Sequence, residues 1–230
     1  MDTRFLQPEV SDASEVLHLK LWEGTAFDYS LNGNNGTAAN TTVSDKGYTF
    51  DGADSIITVP ADTTIDINGK TVLSTSAWIN PASDGEGNLA RILDKQAAAA
   101  GYVVYISAEA GGLIKVTALI YHDGVADATA VSNATIIPIN VWSHVAFVYN
   151  EDSAKKIKIY LNGGLQILGT NTAGVGAVDD DSAIDLTIGN NAILDRTFDG
   201  IISDVRIYNT ARTATQIRDF YNQTRWRYGV

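Results

Sequence analysis

Cysteine is absent from the 230 residues, which removes disulfides, zinc–thiolate centres and cysteine nucleophiles together. Long apolar runs are absent as well. No stretch approaches the ~20 residues that a membrane-spanning helix needs, so membrane insertion is not expected. The opening residues, Met1-Asp2-Thr3-Arg4-Phe5-Leu6-Gln7-Pro8, carry neither a basic n-region nor an apolar h-region. They read as no signal peptide, which suggests a virion surface, cytoplasmic assembly, or an extracellular module whose leader is gone. Glutamate is scarce, six residues against 21 aspartates. Aspartate favours turns and caps where glutamate favours helix interiors, so the skew points to a loop-rich β protein. Basic residues are outnumbered 16 to 27, for a net charge of −11. Such a field repels phosphate backbones, and nucleic acid is not an expected partner.

What remains is 45% hydrophobic, ample for a packed core, with 20 glycines between short β-branched runs. Residues 1–14 read as an N-terminal arm. Val16 to Trp22 predicts a first strand with Leu17, Leu19 and Leu21 on one face and His18 on the polar one. Val72 to Ile79 is a strand stopped at Asn80-Pro81, and Arg91 to Lys95 a short one. Gln96 through Gly101 reads as a flexible loop or a single helical turn. Tyr102–Ser107 and Ile114–Tyr121 form a hairpin through Gly111-Gly112, and Asn162-Gly163 gives the strongest local hairpin signal. The closing strand alternates Ile201, Val205 and Ile207 against Ile202, Asp204, Arg206 and Tyr208. Thr213 with Gln216 makes a capping box, and Ile217, Phe220 and Tyr221 make the apolar stripe of a helix of about two turns. A dozen strands without a low-complexity linker predict one sandwich rather than two domains.

Five stretches, in order, carry a family pattern: Asp28 through Gly36; Phe50-Asp51-Gly52 leading to Val59-Pro60; Ser76 through Pro81; Trp142 through Ala146 leading to Tyr160-Leu161-Asn162-Gly163; and Phe198 through Ile217. The chain resembles the laminin-G-like jelly rolls of the concanavalin A-like lectin/glucanase superfamily. The resemblance implies an all-β, two-sheet antiparallel jelly-roll sandwich over residues 15–222, with one short C-terminal helix and a tail at 223–230. It also implies a final strand paired near the chain's beginning, with Trp142 and His144 in the core.

Superfamily glucanases set two glutamates and an aspartate at alternating positions on one strand. Glu9, Glu15, Glu23, Glu86, Glu109 and Glu151 have no second carboxylate two residues along in a predicted strand, so catalysis of that kind is not expected. Ser143 and His144 point to opposite strand faces and cannot act together. The resemblance further implies a structural calcium where the first and last strands meet. Asp28, Asn34, Asp51 and Asp204 are its candidate ligands, since calcium takes six to eight oxygens; the bland alternative is that they stabilise turns. Asp204 stands one place after the position, Ser203, where relatives carry aspartate. Asp179-Asp180-Asp181 reads as a solvated tip before a second cation site. Tyr121-His122-Asp123 could present an aromatic ring and a polar tip to a sugar.

Three functions compete. The first is a non-catalytic attachment or assembly module whose likeliest ligand is a carbohydrate, a glycan or glycoconjugate. The second is a structural or decoration protein of a larger assembly such as a virus particle, in contact with other protein subunits. The third, a glycan-active enzyme with a non-standard site, is disfavoured by the missing carboxylate set.

Overall fold

The computed structural model describes residues 12–134 and 136–230; the arm expected over 1–14 lies outside them except for its last three residues. In chain order the strands are β1 (Glu15–Leu19), β2 (Thr37–Ala39), β3 (Thr42–Ser44), β4 (Gly47–Asp51), β5 (Ile56–Val59) and β6 (Val72–Pro81). Then come β7 (Arg91–Ala97), β8 (Ala100–Ala110), β9 (Leu113–Ile120), β10 (Ala128–Ser132), β11 (Ile137–Pro138) and β12 (Ser143–Asn150). β13 (Lys156–Leu161), β14 (Gly164–Leu165), β15 (Leu168–Thr172), β16 (Leu186–Ile188) and β17 (Asp199–Tyr208) follow, and α1 (Ala214–Tyr228) ends the chain.

Two antiparallel sheets result. The eight-stranded sheet runs β14-β13-β12-β6-β17-β4-β3, with β1 also on β17. The nine-stranded sheet runs β15-β10-β9-β8-β7-β16-β5-β2, with β11 on β9. Alternate residues of both sheets meet in the middle; Leu17, Leu19, Phe50, Ile57, Tyr102, Ile106, Phe147 and Ile159 are among the fully buried side chains there. This is a concanavalin A-like jelly-roll sandwich.

β17 is the hinge of the design. Its residues 199–202 pair with β4 and 205–208 pair with β1, while β6 runs along its other edge. The register shifts between Ser203 and Arg206, where Asp204 takes a left-handed φ of +43°. A β-bulge of this kind reverses the inward–outward alternation beyond it. Ile202, Val205 and Ile207 therefore share the inter-sheet core, and Ile201 packs with Trp78 and Trp142 on the outer face. The expected grouping of Ile201 with Val205 and Ile207 fails at this residue.

The helix is twice its expected length. Fifteen residues run from the Thr213–Gln216 capping box to Gly229, a left-handed cap at φ +77°. The expected tail at 223–230 is thus mostly helix. Thr224 interrupts the apolar stripe in sequence, yet its Oγ1 accepts the Trp78 indole N–H at 3.0 Å. One turn later Tyr228 stacks on Trp78, with ring centroids 4.2 Å apart, and donates its hydroxyl to Ser203 Oγ at 2.9 Å. The helix so covers the outer face of the eight-stranded sheet.

The loop expected over 96–101 is a two-residue hairpin turn between β7 and β8. Ala98 and Ala99 both adopt positive φ, +48° and +64°, the requirement of a type I′ turn.

Candidate ligand-binding face

The outer face of the nine-stranded sheet has no helix over it; the one α-helix among the described residues lies on the other sheet. Cross-strand register sets its residues in rows. One row is Thr58, Thr187, Asp94, Val103, Leu119 and Thr129. The next toward one end is Arg91, Tyr105, Thr117 and Val131. Toward the other end Gln96 lies opposite Gly101, whose carbonyl accepts the Tyr121 N–H at 3.0 Å. Val103, Thr117, Asp94 and Thr187 are almost wholly buried, Tyr105, Leu119 and Tyr121 stand partly exposed around them, and the Arg91 side chain is 12% exposed. The face is a floor of short side chains rimmed by two tyrosines and an arginine.

Arg91 and Asp94 share a face because β7 shifts register between Arg91 and Leu93; strict alternation over three residues would separate them. Arg91 Nε donates to Asp94 Oδ2 at 2.8 Å, and the guanidinium lies over the Tyr105 ring at 5.0 Å. Asp94 Oδ1 accepts the Gln96 N–H at 3.0 Å. Burial pushes the Asp94 carboxyl above its usual range, with the Arg91 charge opposing. Burial also raises the Tyr121 phenol, with further contributions from Asp127, Arg91, Asp94 and Tyr105, so these groups lie within one another's field. Gly101 has φ +89°, and a Cβ there would meet the Lys95 carbonyl at 1.9 Å and Asp181 Cβ at 3.2 Å; only glycine fits. Segment 190–196 borders the Arg91 end, where the Arg91 N–H donates to Arg196 O at 3.0 Å. Segment 177–181 borders the Tyr121 end, where the Asp179 N–H donates to Tyr121 O at 3.2 Å.

Of the trio Tyr121-His122-Asp123, Tyr121 alone stands at this face. The expected polar tip at His122 is corrected: its ring is buried, 2.9 Å from Tyr149 Oη and 3.1 Å from Ile120 O. Gly174 closes over it, since a Cβ there would come within 2.2 Å of the imidazole. Asp123 Oδ1 accepts the Ala177 N–H at 2.8 Å and shapes the neighbouring loop. Arg91, Asp94 and Tyr105 escaped sequence reasoning because only the bulge aligns them.

The four candidate calcium ligands fall in three places. Asp28 is buried and takes four protein donors: the N–H groups of His18, Ser30 and Asn34 and the Ser30 hydroxyl, at 2.7–2.9 Å. Asn34, in the same loop, donates to Val16 O and Thr64 Oγ1, both at 2.8 Å. Asp51 organises the β4–β5 turn by accepting from Ala53, Asp54 and Ser55, which holds its carboxyl below the usual range. Asp204 accepts from Arg206 Nε at 2.7 Å and lies 3.2 Å from His18 Nε2. Burial alone would raise its carboxyl, but Arg206 and His18 hold it far below the usual range. Glu15 completes the group, 3.0 Å from the Arg206 guanidinium. Among the described residues, no group of three or more His, Cys, Asp and Glu side chains is arranged to hold a metal ion. His18, on the polar face of the first strand as expected, is buried there within this charged cluster beneath α1, where Arg206 lies over Phe220 at 4.5 Å.

The two antiparallel sheets packed face to face make a jelly roll. A family profile described as the concanavalin A-like lectin/glucanases superfamily, Laminin_G_3, matches residues 51–218, and the chain belongs to that family. Among curated proteins none matches. Solved structures share the fold at low identity. Domain 4 of AbnA, a GH43 extracellular arabinanase from Geobacillus stearothermophilus in complex with arabinotriose, is 20% identical with a TM-score of 0.65, covering 92% of this chain and all of that one. The binding domain of Paraclostridial Mosquitocidal Protein 1 is 16% identical with a TM-score of 0.69, covering 91% of this chain and 52% of that one. The botulinum neurotoxin serotype D binding domain is 17% identical with a TM-score of 0.64, at 91% and 52% coverage. The chain spans about half the length of these toxin domains.

Proposed function

We propose that this chain is a non-catalytic binding module that holds carbohydrate on the open face of the nine-stranded sheet. The observation that carries the reading is the Arg91–Asp94–Tyr105–Tyr121 constellation on a sheet face that α1 does not cover. A sugar ring has an apolar C–H face that stacks on an aromatic ring, and an edge of neighbouring hydroxyls that needs a donor and an acceptor side by side. Tyr105 and Tyr121 supply the first, and the Arg91 guanidinium, held in place by the buried Asp94, supplies the second together with the tyrosine hydroxyls. Because Asp94 already balances Arg91, a neutral glycan suits the face better than an acidic one. The arabinotriose-bound arabinanase domain and the toxin binding domains are binding modules on the same fold, which supports this reading. A glycan array tests it: signal on at least one neutral oligosaccharide class is expected, and silence across the array refutes it. Running the array with calcium and with chelator tests the calcium expectation for Asp28, Asn34, Asp51 and Asp204 as well.

A second reading, a subunit that joins a larger assembly, has its own observation. Trp226 and Phe27 are more than half exposed, Arg227 lies over Trp22 at 3.6 Å, and Lys20 lies over Tyr29 at 4.5 Å. Exposed Trp, Tyr and Arg are the residue types that anchor protein interfaces. Light scattering over a concentration series tests this reading; a strict monomer without affinity for any particle counts against it.

A further inference from the structure

Two acidic loops, 60–70 and 179–185, meet around the ammonium group of Lys95. Lys95 is on β7 next to Asp94, but its side chain turns inward and is fully buried. Its Nζ lies 2.9 Å from Asp66 Oδ1 and 3.6 Å from Asp181 Oδ2. It donates to the carbonyls of Asp181 and Ile184 at 2.7 and 2.6 Å. The surrounding oxygens are themselves fixed. Asp181 accepts the N–H groups of Ile67 and Asn68 at 2.9–3.1 Å, and Tyr102 donates to Ile65 O at 3.0 Å. Lys70 tightens the first loop by donating to the carbonyls of Thr63, Thr64 and Asp66 at 2.8, 2.8 and 2.5 Å. The acidic run read as a solvated tip is therefore split: Asp180 is exposed, while Asp181 is wholly buried.

Two carboxylates and two carbonyls drawn from two loops form the all-oxygen donor set that hard cations take. Left without a positive charge, two buried carboxylates would repel each other and pay heavily for lost hydration. We propose that the Lys95 ammonium is the resident cation of this cage, holding the two loops as a bound divalent ion would, and that the cage is a latent calcium-type site that opens when this side chain is shortened. Calcium–oxygen distances of ~2.3–2.6 Å are slightly shorter than the Nζ contacts to Asp66 and the two carbonyls, at 2.6–2.9 Å, and Asp181 Oδ2 at 3.6 Å would have to move in by about 1 Å, with water completing the site. The cage also bears on ligand binding, because the 179–181 segment it anchors borders Tyr121. The inference does not depend on the carbohydrate reading.

Melting temperatures of three variants in chelator and in millimolar calcium chloride test it. Lys95→Ala empties the cage, Lys95→Met fills it without charge, and Lys95→Ala with Asp66→Asn removes a ligand. The expected result is a drop of several degrees for Lys95→Ala in chelator, with more than half regained in calcium. Lys95→Met and the double variant should gain no more from calcium than the wild-type protein does. Recovery of folded Lys95→Ala only from calcium-containing refolding also supports the proposal. A calcium shift in Lys95→Ala no larger than in wild type overturns it, as does equal rescue of Lys95→Met, or failure of Lys95→Ala to fold even with calcium.

Discussion

The outer faces of the two sheets have been put to opposite uses. On the eight-stranded sheet the face is aromatic and charged: Trp78, His144 and Arg206 point outward and would be poor surface residues, and α1 seals them. On the nine-stranded sheet the corresponding positions are threonines, Val103 and Leu119, with one ion pair between two tyrosines, and no helix arrives. An outer face rich in large rings is stable only when covered, whereas a threonine-rich face with a few fixed polar groups tolerates water and can wait for a ligand.

The largest break in that contrast comes from Arg206→Met. Removing the cation leaves Asp204 and Glu15 buried with His18 alone between them, which costs about 3–5 kcal/mol. Chemical denaturation should show a correspondingly lower midpoint. Next is acid stability. Burial pushes the His144 imidazole down to about 4, and both ring nitrogens lack hydrogen-bond partners. A lowered pKa means stability is complete above the unfolded value near 6.5 and falls as pH drops toward 4, by about 2 kcal/mol at pH 5. His144→Phe should remove that dependence, read from denaturation at pH 7 and pH 5. His18 has the reverse sign: burial lowers it, but Asp204 and Glu15 outweigh burial and raise it. Its contribution is complete below the unfolded pKa and is lost as pH rises through the folded one, so it opposes the His144 trend at pH 7; both proteins keep His18, and the difference between wild type and His144→Phe isolates the His144 effect.

On the open face, Tyr105→Ala should weaken glycan binding about tenfold, roughly 1.4 kcal/mol, with little change in melting temperature. The smallest effect concerns the turn beside the floor. Ala98 and Ala99 sit at positive φ, which disfavours any residue with a Cβ. Replacing them with Asn-Gly should stabilise the protein by about 1 kcal/mol in thermal melts and leave glycan affinity unchanged.

Much of the fold was legible in the residues. Alternation in Lys156–Leu161, the Asn162-Gly163 turn and the Thr213–Gln216 box each had a local physical signal that the structure reproduces. The candidate face was not legible, and the reason is specific. A bulge carries no signature in a single sequence, yet each one reverses the parity of everything beyond it. The bulge near Ile92 places Arg91 beside Asp94, and the one at Ser203–Asp204 redirects Ile201 and Ile202. The second half of α1 was hidden by Thr224, a polar residue on the apolar stripe whose value is a hydrogen bond to Trp78.

The central claim is that ligand is held on the open face of the nine-stranded sheet. Titration of isotope-labelled protein with the strongest array ligand, followed by amide chemical shifts, tests it most directly. The account predicts that saturable shifts centre on Arg91, Asp94, Val103, Tyr105, Leu119 and Tyr121 while α1 and the residues beneath it stay still. Shifts centred on α1, or on the Asp28–Asn34 loop with the open face unmoved, would contradict it.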